Sequence, residues 1–157
     1  MRLVMALVLL IAMTIAIPGC HKETEQDKVK KVITDIQRSA EDKDIKKIIN
    51  ELSKTYNDPQ GFNHDTIKGL LLGYFFRYPK ISAYITDLEI SVENTYAKVL
   101  FQAVLTGISE SGSTVSLIPE SLGMYAFVVE MQKEADGWKV TSATWARVGD
   151  GGNRGGR

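Results

Sequence analysis

Between residues 24 and 52 the apolar side chains follow the period of two amphipathic helices. The first stripe has the spacing i, i+3, i+4, i+7 that puts its members on one helical face, and it comprises Val29, Val32, Ile33 and Ile36. The second stripe has the same spacing and comprises Ile45, Ile48, Ile49 and Leu52. Thr24 followed by Asp27 resembles a capping box before the first helix, and we expect the second helix to begin near Asp42 or Asp44.

A turn and a third, more evenly apolar helix follow. Residues 56–61 read Tyr-Asn-Asp-Pro-Gln-Gly, which is typical of a structured turn because the proline restricts Asp58 to extended backbone and the glycine accepts a positive φ. Asn63 or His64 is expected to cap a helix that runs to Tyr78, where the next proline ends it. Because apolar residues lie on nearly every side of this segment, the pattern predicts a buried central helix.

From Ile81 onward the apolar period drops to two, which predicts four long strands. The parity switches near Thr86 and Asp87 and again in the last strand, and each switch indicates a β-bulge. Three helices followed by antiparallel strands predict an α+β domain over residues 27–148, with the three N-terminal helices packed on a strongly curved sheet. Residues 149–157 contain five glycines, and we expect a disordered tail there.

The first twenty residues have the layout of a bacterial export signal. Arg2 precedes the uncharged residues 3–17, and residues 17–20 read Ile-Pro-Gly-Cys. The apolar run is too short to span a bilayer comfortably. Its end resembles the lipobox of bacterial lipoproteins, which implies a signal peptide over residues 1–19, cleavage after Gly19 and acylation of Cys20. Residues 20–26 would then be the lipidated cysteine and a short linker.

Lipidation would fix the protein to a membrane, because each buried methylene of an acyl chain contributes about 0.8 kcal/mol and two or three chains hold essentially permanently. An ordinary cleaved signal and an uncleaved membrane anchor are the alternatives. His21, rather than an aspartate, follows Cys20. By analogy with enterobacterial sorting, this favours the periplasmic face of the outer membrane over the inner membrane.

Composition excludes several other classes of function. The chain carries 19 basic and 19 acidic residues and no net charge, so it has no electrostatic field that would attract nucleic acid. Cys20 is the only cysteine, and once acylated it could form neither a disulfide nor a metal thiolate. The two histidines, His21 and His64, lie far apart in the sequence without clustered acids. The sequence therefore predicts no metal site and no cofactor.

The order of elements resembles the nuclear transport factor 2-like superfamily, which includes ketosteroid isomerase and the SnoaL-like proteins. The resemblance covers residues 27–147 and depends on two motifs, the turn Tyr56-x-Asp58-x-x-Gly61 and the ending Asp136-Gly137-Trp138-Lys139-Val140 with Ala143-Thr144-Trp145. It implies a cone-shaped fold with a pocket on the concave side of the sheet. Members include isomerases, dehydratases, transport adaptors and binding modules, so the resemblance does not specify an activity.

An isomerase-type reaction in such a pocket needs a carboxylate base opposite a hydroxyl group. In the two middle strands the inward parity is apolar except for Tyr125, which predicts an interior filled by side chains. Asp58, His64 or Asp65 would have to act as the base. An Asp before Pro, however, usually binds turn amides, and His64 is expected to cap a helix or to be exposed. The candidate cavity-lining residues are Tyr56, Asp58, His64, Tyr74, Phe101, Tyr125 and Trp138.

The opposite parity of the middle strands is too apolar to face water. It carries Tyr96, Leu100, Val104, Met124 and Val128, and this face is expected to form a homodimer or to bind a protein partner. The sequence thus favours a membrane-anchored envelope lipoprotein with a non-catalytic binding or accessory domain. A small-molecule binder and an isomerase or lyase that uses the cone cavity are the alternatives.

Overall fold

A computed structural model describes residues 22–108 and 120–149, without the side chains of residues 107, 108 and 120–122. The helices are α1 (Glu25–Glu41), α2 (Ile45–Asn50) and α3 (Ile67–Arg77), and the strands are β1 (Lys80–Glu93), β2 (Tyr96–Ile108), β3 (Glu120–Glu134) and β4 (Gly137–Arg147). The predictions for Gly19, Cys20 and the glycine-rich tail lie outside the described residues, apart from Gly149, and they stay predictions.

The starts of the first two helices agree with the capping signals in the sequence. The Thr24 hydroxyl accepts a hydrogen bond from the Asp27 amide at 3.1 Å, and the Asp27 carboxylate accepts one from the Thr24 amide at 2.9 Å. This reciprocal pair satisfies two amides that a helix start otherwise leaves free. Because α1 begins at Glu25, the last two residues of the expected linker are helical. Asp44 caps α2 through the Lys47 amide.

The four strands form one antiparallel sheet in the order β1-β2-β3-β4, and the predicted α+β fold class is confirmed. The β1–β2 register shifts between Thr86 and Glu89 of β1. The β3–β4 register shifts where Glu130 and Met131 of β3 pair with Ser142 and Val140 of β4. Both predicted bulges are therefore confirmed. A third irregularity in the β2–β3 pairing, next to Gly123 at φ 118°, was not predicted. Bulges increase local twist, and these three help to curve the sheet around α1.

The buried core lies between α1, the turn after α2 and the inward face of the sheet. Its fully buried members include Val29, Ala97, Val99 and Met131. The core and the hydrophobic residues packed on it all lie between residues 29 and 145. A chain that begins at residue 22 therefore contains the whole described core and is expected to fold without the residues before it.

One end of the cone is closed by contacts between the start of α1 and the β3–β4 hairpin. The Trp138 indole donates a hydrogen bond to Glu25 Oε2 at 2.8 Å, and Lys133 and Lys28 approach the same carboxylate at 2.9 and 2.8 Å. These three donors hold the pKa of Glu25 down to about 2, with Lys133 contributing most. The ion pairs thus fix where α1 enters the fold.

The prediction that the third helix is buried and central is wrong. In α3 only Ile67 is buried, whereas Leu72 is 50% exposed and Phe76 is 93% exposed. The helix also begins later than expected, because Asn63 Oδ1 accepts hydrogen bonds from the amides of Asp65 and Thr66 and so organises a turn that precedes the helix. α3 packs with one side on the open end of the cone, and its other side has no described neighbour. No helix among the described residues has the length and apolar character needed to cross a bilayer.

Candidate ligand cavity

Two adjoining cavities lie between the helices and the concave face of the sheet. The inner one has a volume of about 220 Å³ and the outer one about 290 Å³. They share wall residues from the helices, the turn and the sheet, among them Tyr56, Ile67, Leu71, Ala83, Phe127 and Ala143. The prediction of an interior filled by side chains is therefore wrong. The inward positions of β1, β2 and β4 include Ala83, Ala103 and Ala143, and their methyl groups are too short to fill the space below α1.

The walls of both cavities are almost entirely carbon. Gln37 and Tyr56 bring the polar groups of the inner cavity, and both groups are already bound to the protein. Gln37 Nε2 donates to the Ala83 carbonyl at 2.7 Å, and the Tyr56 hydroxyl donates to Asp58 Oδ2 at 2.7 Å. A site of this kind favours an apolar ligand, because such a ligand leaves no polar group without a partner when water is displaced.

Aromatic rings line the side of the cavities formed by the middle strands and the outer end. Phe101 and Phe127 are stacked with their ring centroids 4.9 Å apart, and Tyr125 lies tilted at 6.5 Å from Phe127. Tyr74 and Trp145 complete the outer cavity. The inner cavity is enclosed by aliphatic residues of α1, α2 and β4 together with the rings of Tyr56, Phe101 and Phe127. Aromatic rings therefore line both cavities, and the outer one has more of them.

Asp58 lies behind the cavity wall and holds the turn that carries Tyr56. Only 5% of Asp58 is exposed, and its Oδ1 accepts hydrogen bonds from the amides of Gln60 and Phe62 at 2.9 and 3.0 Å. Burial, followed by the hydrogen bond to Asp58, raises the pKa of Tyr56 above its usual range. Tyr56 therefore stays a neutral donor, and Asp58 is occupied by protein donors on both oxygens, which is the role that an Asp before Pro in a turn usually has.

The structure places the seven candidate lining residues in two groups. Tyr56, Tyr74, Phe101 and Tyr125 lie in the walls of the two cavities, whereas Asp58, His64 and Trp138 do not.

His64 packs beside the turn and not in the cavity wall. Its Nδ1 is 3.4 Å from Asp65 Oδ1, and its buried Nε2 has no described partner. Trp138 belongs to the closed end of the cone, where its indole binds Glu25. Sequence reasoning missed the alanines that create the cavities, although they occupy inward strand positions where larger residues would be expected.

The outer face of the sheet is an apolar surface in the described part of the chain. Its predicted residues include Tyr96, Leu100 and Met124, which are 42%, 37% and 40% exposed, and the half-buried Val104 and Val128. The strand register pairs Val104 with Met124 and Leu100 with Val128, with the Gln102–Ala126 pair between them, so these side chains lie on one face of the sheet. Tyr84, opposite Val104 in β1 and 62% exposed, extends it. Across residues 22–108 and 120–149 no three acidic, histidine or cysteine side chains are grouped so that they could hold a metal ion.

Solved structures with the same architecture identify the fold. No protein-family model and no curated protein sequence matches the chain. A protein from Streptomyces avermitilis, described as a candidate dehydratase of the NTF2-like family, superimposes with a TM-score of 0.69 at 13% identity and covers 79% of this chain and 96% of its own. An NTF2-like superfamily protein from Salmonella enterica serovar Typhimurium gives a TM-score of 0.68 at 14% identity, with 85% and 97% covered.

A third structure covers nearly the whole chain. It is an NTF2-like protein with a cystatin-like fold from Novosphingobium aromaticivorans, with a TM-score of 0.65 at 14% identity over 96% of this chain and 90% of its own. The chain therefore has the NTF2-like, cystatin-like cone fold that the sequence resemblance implies. At these identities the comparison specifies the fold and leaves the activity open.

Proposed function

We propose that this protein is a membrane-anchored bacterial envelope lipoprotein whose NTF2-like domain binds an apolar small molecule without transforming it. The observation that carries the binding role is the pair of adjoining cavities, about 220 and 290 Å³, with nearly all-carbon walls. Small-molecule sites are mostly apolar pockets of about 300–1,000 Å³. The two adjoining cavities lie near the lower end of that range, which suits a small ligand. The cavities therefore support a domain that binds a ligand inside the cone over a domain that acts only through its surface.

The cavity lining supports binding more than acid–base chemistry. A dehydratase or isomerase needs a base within hydrogen-bond reach of the substrate. Among the described wall residues the titratable groups are the hydroxyls of Tyr56, Tyr74 and Tyr125, and Tyr56 already donates to Asp58. The candidate dehydratase among the structural neighbours shares the fold, which supports the same scaffold but not the same reaction.

The binding role is tested with N-phenyl-1-naphthylamine, an apolar dye whose fluorescence rises in a dry site. We expect residues 22–157 to bind the dye and Ala143→Leu to weaken binding at least tenfold, because the added atoms occupy both cavities. Ala126→Leu is the matched control, since Ala126 is exposed and lies on the outer face of β3. Absence of dye binding by the unsubstituted domain, or equal loss in both variants, would contradict the proposal.

The anchoring part of the proposal depends on Cys20 and is tested separately. The support is the sequence alone: the uncharged residues 3–17 followed by Pro18, Gly19 and Cys20. In cells given an alkyne-labelled fatty acid, we expect the full chain to be labelled and to fractionate with the outer membrane. Cys20→Ser should abolish labelling. A labelled Cys20→Ser protein, or an unlabelled native chain, would refute lipidation.

We further propose that the outer face of the sheet pairs with a second copy of the chain. The supporting observation is that Leu100, Val104, Met124 and Val128 share the outer face of the sheet, because exposed apolar surfaces of this kind usually mark interfaces. Sedimentation equilibrium of residues 22–157 should give a dimer, and Leu100→Asp should give a monomer with unchanged dye binding. A monomeric native domain at tens of micromolar would refute the pairing.

A further inference from the structure

Helix α3 has an apolar strip on its solvent side. Leu72 and Phe76 are 50% and 93% exposed, and nothing lies within 4 Å of the Cβ positions that Gly69 and Gly73 would have. With 3.6 residues per turn these four residues share one side of the helix, and we call them the outer strip of α3. A phenylalanine exposed to this extent beside other apolar surface indicates a contact partner rather than water.

The other side of the same helix lines the cavities. Ile67, Leu71 and Phe75 face inward toward the site. The inner side of α3 is therefore apolar because it lines the cavities, which does not explain the apolar outer strip. Lys43 Nζ donates to the Phe75 carbonyl at 3.0 Å and ties the last turn of α3 to the segment after α1. The helix is thus held in place from within while the outer strip points away from the domain.

The charges around the outer strip identify the kind of partner. Lys68 and Arg77 lie at its two borders and Lys80 follows at the start of β1, whereas the nearest acid in the sequence is Asp65, which is 98% exposed just before the helix. The excess of cations means that a second copy of the same strip would bring two net positive surfaces together, which is unfavourable. An anionic phospholipid surface would instead offer phosphates to the cations and an acyl boundary to Phe76 and Leu72. Amphipathic helices that lie in membrane interfaces combine these two features.

We propose that the outer strip of α3 docks on an anionic phospholipid bilayer, with Phe76 and Leu72 inserted at the acyl boundary and Lys68 and Arg77 bound to headgroup phosphates. This contact is separate from any acyl chain on Cys20. It brings the outer cavity next to the bilayer, because the inner side of α3 lines that cavity. An apolar ligand could then pass between the membrane and the site.

The test uses residues 22–157, which contain the described core but not Cys20, so that anchoring does not contribute. The domain is sedimented with vesicles of phosphatidylcholine alone or with added phosphatidylglycerol. We expect binding to the anionic vesicles, and a reduction of about tenfold in Phe76→Ser and in Lys68→Glu, because apolar burial and surface charge both contribute. Lys30→Glu is the matched control for Lys68→Glu, since Lys30 is also exposed but lies on α1.

Several outcomes would overturn the proposal. Failure to sediment with anionic vesicles refutes it, and so does equal binding to both kinds of vesicle. Loss of binding in Lys30→Glu as large as in Lys68→Glu would show that the outer strip is not the contact. If Phe76→Ser instead dissolves a dimer seen without vesicles, a second copy covers the strip. Dye binding is measured on the same variants to separate the two proposals. If Phe76→Ser retains both dye binding and vesicle binding, the docking proposal fails and the cavity proposal stands.

Discussion

Replacing Asp58 distinguishes a carboxylate that holds a turn from one that acts on a ligand. In Asp58→Ala three donors lose their acceptor: the Tyr56 hydroxyl and the amides of Gln60 and Phe62. A buried donor left without a partner costs about 1–3 kcal/mol. Since the two amides are only partly buried, water recovers some of that loss. We expect the free energy of unfolding to fall by about 3–4 kcal/mol, a large part of the roughly 5–15 kcal/mol of a typical domain.

Asp58→Asn should be much milder, at about 1 kcal/mol, because its oxygen still accepts from both amides and its NH₂ group can donate to the Tyr56 hydroxyl. Urea unfolding followed by tryptophan fluorescence measures both variants, and an unchanged m-value shows that the transition is comparable. Equal destabilisation by Ala and Asn would refute the hydrogen-bond reasoning. Loss of dye binding in a fully stable Asp58→Asn would instead show that this carboxylate acts on the ligand.

Two further predictions concern the closed end and the core. The pKa of Glu25 is about 2 in the folded protein against an ordinary 4.5. Its contribution to stability is therefore present above pH 4.5 and is lost as the pH falls from about 4.5 to 2. Glu25→Gln should flatten that part of a curve of unfolding free energy against pH, and an unchanged curve would contradict the assignment. Met131→Ala should lower the free energy of unfolding by about 2–5 kcal/mol, because Met131 is fully buried. Gln26→Ala, at an exposed position of α1, should change it by less than about 0.5 kcal/mol, and similar losses in both variants would refute the described core.

The features that could be predicted from sequence are those decided by residues close together in the chain. The capping box of Thr24 and Asp27, the turn amides bound by Asp58 and the bulges marked by parity switches are all of this kind. The cavity is different, because its volume depends on how far α1 stands from the sheet. An inward alanine such as Ala143 is compatible with a close approach of two layers or with a void. Only the packing of the long side chains around it decides between them.

The burial of α3 also could not be predicted from its sequence pattern. Apolar residues on every side of a helix predict burial on every side, and that inference assumes that the rest of the domain is large enough to surround it. Here α3 covers the open end of the cone, so one side meets the cavity and the other meets no described part of the chain. The chain nevertheless keeps Leu72 and Phe76 on that second side, with Lys68 and Arg77 along its borders. The membrane contact proposed for the outer strip would give that second side the apolar surroundings that the described residues do not supply.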